Sequence, residues 1–314
     1  MAENIQAWRG GFAVAFPWSA GFAWGTMSDS AGPVYYDNHM HTPLCRHAVG
    51  EPEEYAEVAV RRGLKGIVFT CHSPMPDNWW ARVRMRPEEL DEYVAMVGRA
   101  REAYAGCLDI RLGIEADYFP GYEGWIEELC GRCEFHHVLG SVHFFSGEYR
   151  ERYWRGDAVE FQRGYFRHLA DSAETGLFDT LAHPDLVKNH SPEQWDLELI
   201  RPEVEAALDR IAASGVAMEL NTSGLHKRVA EFNPGPGMLR MMRERNIPVV
   251  LGSDSHEPGR VASHFPEALD ALEAVGYGEV SWFLERRRHS APIAAVRASL
   301  GLGMVESVPC SGRD

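Results

Sequence analysis

What this 314-residue chain lacks narrows it first. It has no run of 18 apolar residues, so no membrane-spanning helix is expected. Positive charge is scarce: 31 Lys and Arg stand against 46 Asp and Glu, a net charge of −15. A nucleic-acid binder shows a basic face, so DNA or RNA is not an expected partner. No G-x-G-x-x-G follows an expected strand and no Walker loop occurs, which removes the usual nucleotide-binding readings. No internal repeat is found. Cysteine is sparse: Cys45, Cys71, Cys107, Cys130, Cys133 and Cys310 are scattered, as befits reduced thiols in a cytoplasmic protein. Cys130-Gly-Arg-Cys133 has no second pair at zinc-finger spacing and reads as two half-buried helix cysteines.

What remains is a chain with a large core to bury, 45% of it hydrophobic. From residue 34 apolar strands alternate with amphipathic helices. Strands are expected at Val34–His39, Gly66–Thr70, Ile110–Ile114, His137–Ser141, Phe178–Ala182, Val216–Leu220 and Ile247–Leu251, with an irregular eighth at Val280–Leu284. Helices are expected at Pro52–Arg62, Pro87–Ala105, Tyr122–Leu129, Asp157–Thr175, Arg201–Ala213, Gly237–Arg245, Phe265–Val275 and Ile293–Leu300. This repetition predicts an α/β fold whose parallel strands form a closed or nearly closed barrel. Residues 1–33, aromatic and Gly/Ala-rich from Phe12 to Trp24, are expected to be an extension outside the fold, with Met27 an alternative start. Residues 34–304 are the expected barrel domain and 305–314 a tail.

The chemistry collects at strand ends. His39 and His41 are two apart, so in a strand they share one face. His47 lies one loop beyond. His72 follows the second strand, Glu115 the third, His143 the fourth, His183 the fifth, and Asp254 and His256 the seventh. In a parallel barrel these ends meet at one rim, where such folds keep their active sites. Seven imidazoles and two carboxylates are too many for one ion with an open position, and suit three if one carboxylate bridges. Nitrogen and oxygen donors without thiolate suit zinc, iron or manganese alike.

The segments His39-Met40-His41-Thr42, Gly113-Ile114-Glu115, Ser141-Val142-His143, His183-Pro184 and Ser253-Asp254-Ser255-His256 resemble the PHP (polymerase and histidinol phosphatase) superfamily. The longer runs His41-Thr42-Pro43-Leu44-Cys45-Arg46-His47, His72-Ser73-Pro74-Met75-Pro76 and Glu115-Ala116-Asp117-Tyr118-Phe119-Pro120 look like its histidinol-phosphatase branch. The resemblance implies a distorted seven-stranded, TIM-like barrel with three divalent metal ions at the C-terminal rim. It implies that His39, His41, Glu115 and Asp254 hold the first, and that Glu115 bridges to a second held by His143 and His183. His47, His72 and His256 would hold the third. Two departures stand out. Cys71 occupies a position where the family has an acid, and Gly224-Leu225-His226-Lys227-Arg228 stands where it often has Gly-Leu-Arg.

The implied reaction is hydrolysis of a small phosphate monoester, L-histidinol phosphate in this branch, by a water acidified between two cations. Asp254 or His256 is the expected acid toward the leaving oxygen, with Glu115 at the centre. Arg155 and Lys188 are the expected phosphate clamp, and His226 is a further expected substrate contact, to phosphate or imidazole. Asp117, Tyr118 and the Trp79-Trp80 loop are candidates for the substrate's ammonium and imidazole. Three alternatives stay open: a PHP phosphoesterase acting on another small ester or nucleotide, an amidohydrolase, and a metal-binding scaffold without activity. No strand-end lysine offers the bridging carbamate of an amidohydrolase.

Overall fold

The computed structural model describes residues 32–302, so the expected tail and nearly all of the expected N-terminal extension lie outside the described residues. Seven parallel strands run in chain order through one sheet: β1 (Tyr36–Asp37), β2 (Gly66–Phe69), β3 (Asp109–Asp117), β4 (His137–Ser141), β5 (Thr180–Leu181), β6 (Ala217–Asn221) and β7 (Val249–Gly252). Parallel neighbours need crossovers. These are α1 (Pro52–Arg61), α2 (Leu90–Ala103), α3 (Glu123–Cys130), α4 (Gly147–Tyr153), α5 (Ala158–Glu174), α6 (Arg201–Ser214) and α7 (Pro236–Glu244). After β7 come α8 (Phe265–Ala274), β8 (Glu279–Leu284), β9 (Arg287–Pro292) and α9 (Ile293–Leu302).

Local chemistry starts and stops these elements. Pro52 opens α1, where its missing N–H costs nothing, and the Glu54 carboxylate accepts the Glu51 N–H at 2.7 Å as half of a capping box. The Asp157 carboxylate accepts the N–H groups of Val159 and Glu160 at 2.9 and 3.0 Å, capping α5. Gly215, at φ 77°, ends α6 in the left-handed conformation that glycine adopts freely. Every residue of β2, β4, β6 and β7 is buried, as strands covered on both faces must be.

The α/β class and the parallel sheet are as expected, but among the described residues the ladder has nine strands and is not closed. β8 meets β7 through one parallel pair, Val250 with Ser281, and β9 returns antiparallel on β8. The turn between them holds Glu285 and Arg286 at φ 52° and 61°, the paired left-handed geometry that suits a two-residue hairpin. Arg286-Arg287-Arg288-His289, which reads as a solvated helix end in the sequence, is this turn and the exposed strand after it. Between β1 and β7 side chains replace the ladder. The Tyr35 hydroxyl accepts from the Leu251 N–H at 3.0 Å and donates to the Ser281 carbonyl at 2.8 Å. One parallel bridge, Met40 with Ser255, joins the segments beyond the two strands.

Cys45, Cys71, Cys130 and Cys133 are free thiols. Cys107 is disulfide-bonded, so the reading of reduced cysteines fails there. Among the described residues no helix is long and apolar enough to cross a membrane.

Candidate metal centre

Because all seven strands run the same way, their C-terminal ends deliver polar residues to one place. The segments beyond them are tied together by backbone. His41 N–H donates to the Ser255 carbonyl at 2.9 Å, and Ser255 N–H to the His39 carbonyl at 3.2 Å. Ser73 N–H donates to the Glu115 carbonyl at 2.8 Å, and Glu115 N–H to the Cys71 carbonyl at 3.1 Å. β3 runs longer than expected, so Glu115 lies inside the strand. His183 and Asp254 sit at φ 30° and 49°, a region that costs non-glycine residues about 1–3 kcal/mol and recurs at functional sites.

All nine expected donors converge. The Glu115 carboxylate, fully buried, has His72 Nδ1 at 2.7 Å and His183 Nε2 at 3.0 Å. His143 Nε2 lies at 3.5 Å, His39 Nε2 at 3.6 Å and His41 Nε2 at 3.7 Å from the same carboxylate. Asp254 Oδ1 lies 3.2 Å from His41 Nε2 and 3.7 Å from His39 Nε2. His47 and His256 complete the group, their rings 4.4 Å apart, with His256 stacked 3.9 Å from His41. Possible ligand atoms lie within 4.8 Å of one another in the sets His39/His41/Asp254, His47/His72/His256 and His41/His72/Glu115.

Four of the outer ring nitrogens are already committed. His39 Nδ1 donates to Glu219 at 2.8 Å, His143 Nδ1 to Asp117 at 2.8 Å, His47 Nδ1 to the Cys45 carbonyl at 2.7 Å and His256 Nδ1 to the Asp254 carbonyl at 3.0 Å. A carboxylate or carbonyl partner fixes the proton on Nδ1 and turns the Nε2 lone pair inward. Those inward atoms are left over: His39 Nε2, His41 Nε2, His256 Nε2 and Glu115 Oε2 are buried without a hydrogen-bond partner. Buried polar atoms are normally satisfied, and lone pairs aimed at a shared point are satisfied together by a cation. The donor set therefore fits divalent metal ions.

Electrostatics say the same. Burial pushes Glu115 and Asp254 upward, yet the imidazoles around Glu115, and Lys227 and His39 beside Asp254, hold both well below the usual carboxylate range. Burial disfavours charge on His41, but Asp254, Cys71 and Glu115 carry it up to about 9. His72, with burial the main cause, is held down at about 4. The centre keeps its carboxylates ionised and holds His72 neutral, the forms that bind a cation.

A cavity of about 620 Å³ opens over this cluster. His47, His72, His143, His183, Asp254 and His256 reach its surface, while His39, His41 and Glu115 lie fully buried. His226 lines it, together with Lys227 and Arg228.

Four expected substrate contacts are corrected. Arg155 does not line the cavity; its guanidinium is spent on the carbonyls of Glu151, Arg152 and Trp154 at the end of α4. Lys188 is fully buried and bonds Asp185 at 3.1 Å, Glu231 at 3.0 Å and the Phe232 carbonyl at 2.6 Å. Asp117 is buried between His143 and Arg84, so it orients a ring rather than meeting a ligand. Tyr118 is buried against Phe178.

Sequence reasoning missed Glu219 and Arg84. Glu219 accepts the His39 Nδ1–H, the His183 N–H at 2.7 Å and the Asn221 amide at 3.0 Å. A Cβ at Gly252 would come within 1.9 Å of its Oε1, so glycine there makes room for it. An acid inside the apolar strand Ala217–Asn221 was the available signal. Arg84, isolated in a loop, carried none.

Residues 37–223 match the PHP domain family. The chain belongs to that family. A "Probable histidinol-phosphatase" of Deinococcus radiodurans is 41% identical over 263 residues, 80% of this PHP chain and 97% of the relative. A "Histidinol-phosphatase" of Bacillus subtilis is 28% identical, covering 74% of this chain and 98% of the other. Among solved structures, the histidinol phosphate phosphatase HisK of Lactococcus lactis, complexed with zinc, L-histidinol and phosphate, shares this PHP fold. Its TM-score is 0.69 at 20% identity, over 81% of this chain and 98% of the other.

Proposed function

We infer that this PHP protein is a metal-dependent phosphomonoesterase that hydrolyses L-histidinol phosphate to L-histidinol and phosphate. The carrying observation is the convergence of nine metal-type donors, the buried Glu115 at their centre, beneath a cavity with a cationic wall. The reading is supported by relatives named for this activity that the chain covers almost end to end.

His39, His41, Glu115 and Asp254 would hold one ion, Glu115 with His143 and His183 a second, and His47, His72 and His256 a third. Zinc, iron and manganese all suit the donors. When bound, the ions supply positive charge for the phosphoryl oxygens and an acidified water. The rest is the chain's own work. Lys227 Nζ, 2.8 Å from Ser223 Oγ and 3.5 Å from Asp254 Oδ2, stands on the cavity wall with Arg228 and offers fixed positive charge to the remaining oxygens. Asp254 and His256 reach the cavity surface, both unprotonated at rest, so either can take a proton from water in the site and pass it to the leaving oxygen. Glu115 acts from below by orienting the imidazoles around it.

The catalytic domain is proposed as residues 34–304, a distorted (β/α)7 barrel whose open side between β1 and β7 is bridged by the Met40–Ser255 pair and by Tyr35 and Asn38 hydrogen bonds to β7. The substrate is a free small molecule, nucleic acid has no part, and the place of action is the cytoplasm. Phosphate release from L-histidinol phosphate, measured beside nucleotide, sugar and glycerol phosphates, tests the assignment. The expected preference is for L-histidinol phosphate; a higher kcat/KM for another ester reassigns the substrate.

A further inference from the structure

The cavity lining is of two chemical kinds. One is polar, the imidazoles, Asp254, Lys227 and Arg228; the other is apolar and aromatic, Trp80 and Phe145 among it. The two rings meet edge to face at 5.0 Å, and each stands about equally far from His143, at 5.4 and 5.5 Å. Phe145 is 43% exposed, although a phenyl ring gains nothing from facing water. Its neighbour Phe144 is buried. An exposed aromatic ring on a cavity wall, beside a second one, is surface kept for a ligand.

Trp80 is also held in place at a cost. Its backbone sits at φ 48°, in the left-handed region, where a bulky residue is strained. Two contacts hold it there. Its N–H donates to Glu148 Oε1 at 3.0 Å, and the Arg84 guanidinium lies 5.4 Å from its ring and 5.1 Å from that of Trp79. Arg84 is 1% exposed and donates to the Ser73 carbonyl at 2.9 Å and to Asp117 at 2.5 Å. Asp117 in turn holds His143 at 2.8 Å. One buried guanidinium therefore sets the aromatic wall and a donor of the metal centre in a common frame.

We propose that Trp80 and Phe145 form the specificity wall of the site, stacking the planar ring of the ester's alcohol while its phosphate lies over the imidazole cluster. This rests on the phosphomonoesterase reading. Discrimination then comes from ring contact remote from phosphorus, which lowers KM without entering the bond-breaking step. Loss of one aromatic pairing corresponds to about a tenfold change in affinity.

The test compares wild type, Trp80→Ala, Trp80→Phe and Phe145→Ala on L-histidinol phosphate, phenyl phosphate and the ring-free glycerol 3-phosphate, with metal content measured for each. Trp80→Ala is expected to raise KM for both ring-bearing esters about tenfold, with kcat and bound metal within about twofold of wild type. KM for glycerol 3-phosphate stays within about twofold, and Trp80→Phe recovers most of the loss. Phe145→Ala, a change at an exposed ring that does not threaten folding, shifts KM in the same selective way. If wild type ignores L-histidinol phosphate but has a lower KM for phenyl than for glycerol phosphate, and Trp80→Ala abolishes that KM difference, the substrate assignment fails and the wall stands. Isothermal titration with L-histidinol in the presence of inorganic phosphate gives a reading that needs no turnover. Equal loss on all three esters, a fall in metal content, or unchanged L-histidinol affinity in Trp80→Ala overturns the proposal.

Discussion

Replacing Glu219 by glutamine tests whether the donors around Glu115 are held from behind. The carboxylate is 1% exposed and accepts three hydrogen bonds, one on Oε1 from His39 and two on Oε2 from His183 N–H and the Asn221 amide. Glutamine keeps one oxygen and puts an NH2 where the other was. If the oxygen faces His183 and Asn221, the NH2 meets His39 Nδ1, which must lose its proton and move it to Nε2, the atom aimed at the metal centre. If the oxygen faces His39, two donors meet a third, and a buried donor is left unsatisfied at about 1–3 kcal/mol. Both orientations therefore weaken the centre. Outer partners of this kind typically change metal affinity or activity about 10- to 100-fold. The assay is competition with a chromogenic chelator, paired with urea unfolding of the metal-stripped protein. Glu219→Gln is expected to bind metal at least tenfold more weakly. Wild-type affinity in that variant, with the stripped protein unchanged in stability, would refute the reasoning.

Three further outcomes follow from other parts of the molecule. Lys188→Met removes the buried cation shared by Asp185 and Glu231 and should lower stability by about 3 kcal/mol in urea unfolding, whereas a direct phosphate contact would spare stability and raise KM. Lys227→Ala should raise KM for the phosphate ester several-fold while leaving bound metal in place, measured by steady-state kinetics and elemental analysis. His137, buried against Phe283 with its Nε2 on Thr180 Oγ1, is held down at about 3, chiefly by burial. The unfolded chain takes up that proton near pH 6.5, so this contribution to stability is complete above 6.5 and is lost as pH falls toward 3. His137→Gln should flatten the stability–pH slope across that window by about 1.4 kcal/mol per pH unit relative to wild type, read by urea unfolding at stepped pH.

Much of this was legible because metal chemistry leaves its residue types in strand-end positions. His39, His41, His72, His143, His183, Asp254 and His256 could each be placed by the strand that precedes them, and parallel direction alone sends them to one rim. The phosphate clamp was not legible. Lys188 and Arg155 follow metal-type histidines in the chain just as a clamp would, and only the fold shows one neutralised by Asp185 and Glu231 and the other turned onto carbonyls. Spacing says nothing about which carboxylate a lysine will find. The sequence predicts a closed or nearly closed barrel; the sheet is instead a nine-strand ladder left open between β1 and β7, where Tyr35 and Asn38 side chains make the cross-links. The β8–β9 hairpin was half seen: the apolar run was noticed, but the charged turn Glu285-Arg286 lacks the Asn-Gly signature that announces such turns.

The central claim is that Glu115 gathers a metal centre that hydrolyses a phosphomonoester. Elemental analysis of purified protein, run beside phosphate release from L-histidinol phosphate for wild type and Glu115→Ala, addresses it directly, with circular dichroism to confirm that the variant folds. Wild type should carry about three divalent ions per chain and lose activity on chelation. Folded Glu115→Ala should carry fewer and turn over on the order of a thousandfold more slowly. Full activity in metal-free wild type, or wild-type turnover in Glu115→Ala, would contradict it.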